Sequence, residues 1–222
     1  MMRSRLIVVD DFYADPDSVR AAALRSDFKS ASRYNYPGWQ SNKALSTDAL
    51  QRAIERIVGS AVHVDGDRLT WGGFRVITEE TGRATKVHAD TAVDWAGMVY
   101  LTPGAPAAAG TGFFRHRETG FSRPPSDRVA RSLGFADADA FEEGVARRDM
   151  ADLGKWELTD WVAPVYNRLV LFRGCELYHA PLGGLGDRPA NARITHNFFF
   201  NEVRSVPGAV RRMPAPAEAA AR

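Results

Sequence analysis

The sequence predicts a mainly β fold: a double-stranded β-helix, or jelly roll, with flanking N-terminal helices and a helical insertion. Three observations predict it. Seven or eight short runs rich in β-branched and aromatic residues lie between Val62 and Phe200. Two segments with helix caps and helical apolar spacing precede most of them. Residues of about 126–153 then break the strand pattern with helix-type spacing. Strands that follow rather than alternate with helices favour a sandwich or barrel over a parallel α/β sheet. A jelly roll of the cupin type has an open end where a metal can sit between its two sheets.

Leu6–Val9 is apolar and β-branched and reads as a first strand. Asp15-Pro16 starts a helix that runs to about Ser26, with Asp at the cap and Pro at the first helical position. Tyr34 to Trp39 contains Pro and Gly between aromatics and reads as a loop. Ser46-Thr47 caps a second helix, whose Leu50, Ile54, Ile57 and Val58 recur at core-facing spacing. Strands follow from Val62: Leu69–Thr78, bulged at Gly72-Gly73; Trp95–Leu101; a third starting at Thr111. Within 126–153, Val129–Leu133 and Ala140–Ala146 carry the helical pattern. Strands resume at Trp156–Leu158, Arg168–Phe172 and Ile194–Phe200. A single domain over 1–205 is expected, with 206–222 a loose tail rich in Pro, Ala and Arg.

Composition narrows the function. The chain has 222 residues, 45% of them hydrophobic and 25% charged, as in ordinary globular domains. A net charge of +2 and the lack of an interleaved basic and aromatic stripe argue against a nucleic-acid partner. The single cysteine, Cys175, rules out a disulfide within the chain and a Cys-rich zinc site. The run Leu6–Val9 is too short for a signal-peptide core, and no stretch approaches a membrane span. A cytoplasmic location without membrane contact is expected.

The chemistry is carried by a few side chains. His88-Ala89-Asp90 places an imidazole and a carboxylate two positions apart, so that both can face one ion. His179, within Leu177–Pro181, supplies a second imidazole. Two histidines and one carboxylate occupy one face of a mononuclear iron(II) centre and leave the other open for a cosubstrate and dioxygen. Arg193 opens the late strand Arg193–Phe200, where its planar fork suits a dicarboxylate. Thr195 lies on the same face and can donate a hydroxyl to that carboxylate. Arg188, in the glycine loop 183–189, is the alternative anchor. His63 and His196 are read as structural, His196 because alternation turns it away from Arg193. In this order the residues point to iron(II) and 2-oxoglutarate as cofactors and to an oxygenase. Candidates for the wall facing a small-molecule or peptide substrate are Trp95, Arg115, His116, Arg117 and Trp39, with Tyr36 in the same loop as Trp39.

The order His88-Ala89-Asp90, Met98-Val99-Tyr100-Leu101-Thr102, Gly110-Thr111-Gly112-Phe113-Phe114, His179 and Arg193 resembles the iron(II)/2-oxoglutarate dioxygenase superfamily, nearest to its prolyl-hydroxylase-like branch. The similarity extends over about residues 5–202 and includes the opening Ile7–Tyr13. It implies that Tyr100 donates its phenol to the 2-oxoglutarate carboxylate. It also implies a hydroxylase or desaturase rather than a halogenase, because halogenating relatives carry Ala or Gly where Asp90 stands. This chain departs from the branch in its longer Asp90-to-His179 interval, its longer His179-to-Arg193 interval and Thr102 in place of Asn. Two other readings compete: a non-enzymatic cupin-like binding protein, and a zinc-dependent hydrolase with the same three ligands, which would have no use for Arg193 or Tyr100.

Overall fold

The computed structural model describes residues 4–31, 36–66 and 69–203. Its strands are β1 (Leu6–Val9), β2 (Phe28–Ser30), β3 (Trp39–Ala44), β4 (Val62–His63), β5 (Trp71–Ile77), β6 (Trp95–Tyr100), β7 (Thr111–His116), β8 (Trp156–Val162), β9 (Leu169–Phe172), β10 (Tyr178–Pro181) and β11 (Arg193–Glu202). They form two antiparallel sheets. The larger runs β1-β9-β6-β11-β5-β3-β2, with β4 added to β11, and the smaller runs β10-β7-β8. Together they make the jelly roll that the strand pattern predicts.

Alternation along the large sheet separates two environments. Phe74, Val76, Trp95, Val99, Leu169, Leu171, Ile194, Phe198 and Phe200 turn to one side. There they pack against helix α1 (Pro16–Leu24) through Val19, Ala22 and Ala23, and against α2 (Asp48–Val58) through Leu50, Ile54, Ile57 and Val58. Ile54 is wholly buried. Both helices start as their residues dictate: Asp15 accepts from the Ser18 amide and Thr47 from the Leu50 amide, satisfying donors that lack intrahelical partners. The other face of the sheet carries Met98, Tyr100, Val170, Phe172 and Phe199, which meet Phe113 and Val162 of the small sheet. The space between the sheets is therefore a core that one end leaves open.

The long strand β5 is bulged as expected. β11 pairs Asn197 with Gly73 and Phe198 with Trp71, so Gly72 is the extra residue. It sits at φ +80°, where a side chain is strained, and an added Cβ would lie 2.3 Å from the Leu45 carbonyl oxygen. The insertion is helical too: α4 (Asp127–Ser132), α5 (Ala138–Phe141), a π-helical turn (Glu142–Ala146) and α6 (Arg147–Asp149). The loop expectation for Tyr34 to Trp39 needs correction at its end. Trp39 opens β3, which pairs with β2 and β5. Residues 34 and 35 and the tail 206–222 lie outside the described residues. Among the described residues no helix is long and apolar enough to cross a membrane.

Candidate metal centre

The segment before Asp90 lies beside β10. His88 forms an isolated antiparallel bridge with His179, and the two residues exchange both backbone hydrogen bonds. The Asp90 amide donates to the Gly174 carbonyl at 2.9 Å. This approach depends on the glycine, because a Cβ at 174 would come within 3.0 Å of the Asp90 Cβ and 3.2 Å of its Oδ2. Backbone pairing thus brings both halves of the predicted triad together.

Their side chains converge. One ligand atom from each of His88, Asp90 and His179 lies within 4.8 Å of the others, and all three residues are largely buried. Nδ1 of His88 is 2.9 Å from the Lys86 carbonyl, and Nδ1 of His179 is 2.9 Å from the Leu177 carbonyl. Only an N–H can bond a carbonyl oxygen, so each Nδ1 carries a proton and each ring turns its Nε2 toward the common focus. His88 Nε2 is 3.6 Å from Asp90 Oδ1, and His179 Nε2 is 3.2 Å from Oδ2. The Tyr36 phenol donates to Oδ1 at 2.5 Å. His88 Nε2 and Asp90 Oδ2 are buried without a hydrogen-bond partner. Burial alone would raise the Asp90 pKa, but His179 and His88 together override it and hold the carboxyl well below its usual range. Two imidazole nitrogens, an ionised carboxylate and orphaned buried atoms at one point fit a divalent cation.

The neighbouring cleft, narrow and lined by both sheets, extends from this point. Arg193 reaches it from β11. Its Nε donates to the Ala109 carbonyl at 2.7 Å and one terminal nitrogen to Thr111 Oγ1 at 3.3 Å, which fixes the plane of the guanidinium. Thr195 lines the same cleft and donates to Asn197 Oδ1 at 2.7 Å. The Tyr100 phenol is 2.7 Å from Thr111 Oγ1. Thr111, rather than Tyr100, is among the residues that line the cleft. His196 points the other way, with Nδ1 2.7 Å from the Tyr13 hydroxyl and Nε2 2.9 Å from the Leu45 carbonyl. Arg188 is exposed in its loop.

The five expected substrate-wall residues are not brought to this cleft. Trp95 and Trp39 pack in the helix-side core, because strand parity turns them away from it. β7 meets the cleft at Thr111, and its other end carries Arg115 and His116 to the insertion. Arg115 pairs with Glu157, His116 Nε2 lies 3.0 Å from Asp149 Oδ2, and Arg117 donates to the Trp156 carbonyl. His116, Glu118 and Asp149 also lie close enough to share a cation. There, however, Arg148 already bonds both Asp149 oxygens at 2.8 Å and holds that carboxyl far below its usual range. A guanidinium occupies the place a metal would take.

Sequence reasoning missed Arg75. It stands on β5 directly opposite Thr195 of β11, is buried, and lines the cleft. Its guanidinium lies 3.7 Å from the centroid of the Tyr36 ring. A lone arginine in an apolar strand gives no local signal; only the register of β5 on β11 puts it beside Thr195.

A family model described as a family of unknown function (DUF6445) matches residues 1–200. No curated protein matches the chain. Among solved structures, a Pseudomonas putida prolyl-4-hydroxylase is similar at 16% identity over 90% of this chain and 94% of that one, with a TM-score of 0.47. A Trichoplax adhaerens prolyl hydroxylase, in complex with a hypoxia inducible factor oxygen degradation domain peptide, is similar at 10% identity, 88% and 83% coverage and a TM-score of 0.47. HygX from Streptomyces hygroscopicus, with nickel, 2-oxoglutarate and hygromycin B bound, is similar at 12% identity, 90% and 84% coverage and a TM-score of 0.45.

Proposed function

The chain belongs to DUF6445, a family of unknown function, and we propose that it is an iron(II)- and 2-oxoglutarate-dependent dioxygenase that hydroxylates a C–H bond of a small molecule or peptide. The observation that carries the reading is the pairing of a three-ligand focus with a buried guanidinium in one cleft, Arg193 having no carboxylate within salt-bridge reach among the described residues. A zinc hydrolase needs only the first of these.

His88, Asp90 and His179 would hold the iron. Iron bound there with 2-oxoglutarate would supply dioxygen activation, one oxygen atom ending in the hydroxylated substrate and the other in succinate, with release of carbon dioxide. The chain's own residues do the rest. The Lys86 and Leu177 carbonyls orient both imidazoles, and the Tyr36 phenol holds Asp90 Oδ1, leaving Oδ2 as the oxygen that would be available to a cation. Arg193 orients the cosubstrate by its distal carboxylate, with Thr195 and the Tyr100–Thr111 pair beside it. Phe172 and Phe199 line the cleft and keep it poor in water.

The test is turnover of 2-oxoglutarate to succinate by the purified, iron-loaded full chain, with and without oxygen. Succinate formation that requires both iron and oxygen supports the reading. A zinc-dependent activity that survives anaerobically would replace it with a hydrolase, and a protein that takes up no metal would replace it with a binding protein.

A further inference from the structure

A second, wider cavity of about 560 Å³ adjoins the metal cleft and opens outward between β3, β5 and the segment 89–93. The two share Tyr36, Arg75, Asp90 and Phe199. A smaller cavity also reaches His88, but Asp139, Glu142 and Glu143 line it, so the wider one is the approach that suits an anionic substrate. Its lining carries the exposed Lys29 and Lys43, an Arg147 paired with Glu143 at 2.8 Å, and the buried Arg75; Asp90 is the lone carboxylate in the lining among the described residues.

Arg75 stands at the junction. Its Nε is buried with no hydrogen-bond partner, and one terminal nitrogen makes a long contact of 3.4 Å to Gln40 Oε1. No carboxylate lies within salt-bridge reach of it among the described residues. The Tyr36 ring covers one face of the guanidinium. Asp90 and Tyr36 act on its charge, yet an edge of the fork is left without a hydrogen-bond partner in a buried site, where such a donor is costly. Charge balance gives the same result. A divalent metal beside Asp90 leaves one positive charge, Arg75 and Arg193 add two, and a dicarboxylate cosubstrate cancels only two. One positive charge remains on the substrate side.

We propose that Arg75 anchors a carboxylate of the substrate, and that the enzyme oxidises a small carboxylic acid admitted through the basic groove. The inference rests on the dioxygenase reading above and gives that site its substrate class. Arg193 and Arg75 then divide the work. Arg193 stands two positions along from Thr195 and takes the cosubstrate, while Arg75, opposite Thr195 and nearer the groove, takes the substrate.

Calorimetric titration of the full chain, loaded anaerobically with iron(II) and saturated with 2-oxoglutarate, tests this. The probes are N-acetyl amino acids and their matched primary amides. The acetyl cap removes an amine that could bind the metal, so each pair isolates one carboxylate. At least one acid should bind, its amide at least ten-fold more weakly. Arg75→Gln and Arg75→Ala should weaken that acid at least ten-fold, with Arg75→Lys intermediate. All three should bind 2-oxoglutarate within about two-fold of wild type, which also shows that the cleft is folded. Arg193→Ala should do the reverse, losing 2-oxoglutarate. Three results would overturn the assignment: no acid binds, acid and amide bind alike, or Arg75→Gln binds the acid as wild type does. Loss of 2-oxoglutarate in Arg75→Gln comparable to that in Arg193→Ala would also overturn it and move Arg75 to the cosubstrate. If wild type binds neither iron nor 2-oxoglutarate, the dioxygenase reading itself fails and takes this inference with it.

Discussion

Asp90 is fixed from three directions: its amide by Gly174, its Oδ1 by Tyr36, and its Oδ2 by the His179 imidazole facing it. Each constraint has a measurable consequence. Replacing Tyr36 by Phe keeps the ring beneath Arg75 but frees Oδ1, and loss of such a supporting bond typically costs about 10–100-fold in metal affinity. Chelator competition should show that loss, with the far-ultraviolet circular dichroism of wild type. Gly174→Ala should have the same sign, because the new Cβ must push Asp90 by a few tenths of an ångström. His88→Ala, Asp90→Ala and His179→Ala should abolish stoichiometric iron binding in folded proteins. Any one of them that keeps wild-type affinity removes that residue from the ligand set. The three ligands were visible in the sequence because metal chemistry restricts the residue types. Tyr36 was visible only as an aromatic in a Pro-Gly loop, since its partner is remote along the chain.

Strand β11 shows how one element serves two ends. Arg193, Thr195, Asn197 and Phe199 line the cleft, while Ile194, Phe198 and Phe200 pack under the helices. Period-two alternation sufficed to place Arg193 and Thr195 together and His196 apart. The same rule applied to β6 would have turned Trp95 away from the site. β2 and β3 escaped notice because Gln40–Lys43 is polar and Pro37-Gly38 punctuates it, so the strand character comes from pairing with β5 rather than from local propensity. Arg193→Ala should weaken 2-oxoglutarate binding by about 2–5 kcal/mol, roughly thirty-fold or more, and leave iron affinity nearly unchanged; Arg188→Ala should alter neither. Anaerobic titration of the visible band of the iron-bound keto acid reads both. On the other face, burial lowers the His196 pKa to about 4. The folded state therefore favours neutral His196, and unfolding takes up a proton once the pH falls below the ordinary value near 6.5. The contribution is complete above about pH 6.5 and declines as the pH drops toward 4, by about 3 kcal/mol in all. Denaturant titrations across that range should show the slope in wild type and its disappearance in His196→Gln, even though the variant is less stable at neutral pH.

Across the whole molecule, the site joins parts that the chain keeps far apart. His179 belongs to the small sheet, Arg193, Thr195 and Arg75 to the large one, and Tyr36 to the segment entering β3. The sequence conveyed the two-sheet class through the count and spacing of its strands, and the insertion through a change of period. It could not convey which strand faces which, because that depends on pairings between distant segments, and so the groove and Arg75 stayed hidden. A metal that bridges such parts binds the folded chain and not the unfolded one, so it must stabilise the fold by mass action. At a free iron concentration about 100 times its dissociation constant the gain is about 2.7 kcal/mol. For a domain of this size each kcal/mol moves the melting temperature by about 2–4 °C, so iron should raise it by roughly 5–11 °C and a chelator should reverse the change. 2-Oxoglutarate should add a further rise only when iron is present and Arg193 intact. His179→Ala, whatever its own melting temperature, should show no rise with iron. A full rise in that variant would mean that the metal sits elsewhere, with His116, Glu118 and Asp149 the next site to examine. The present geometry argues against that outcome, because Arg148 already neutralises Asp149 there.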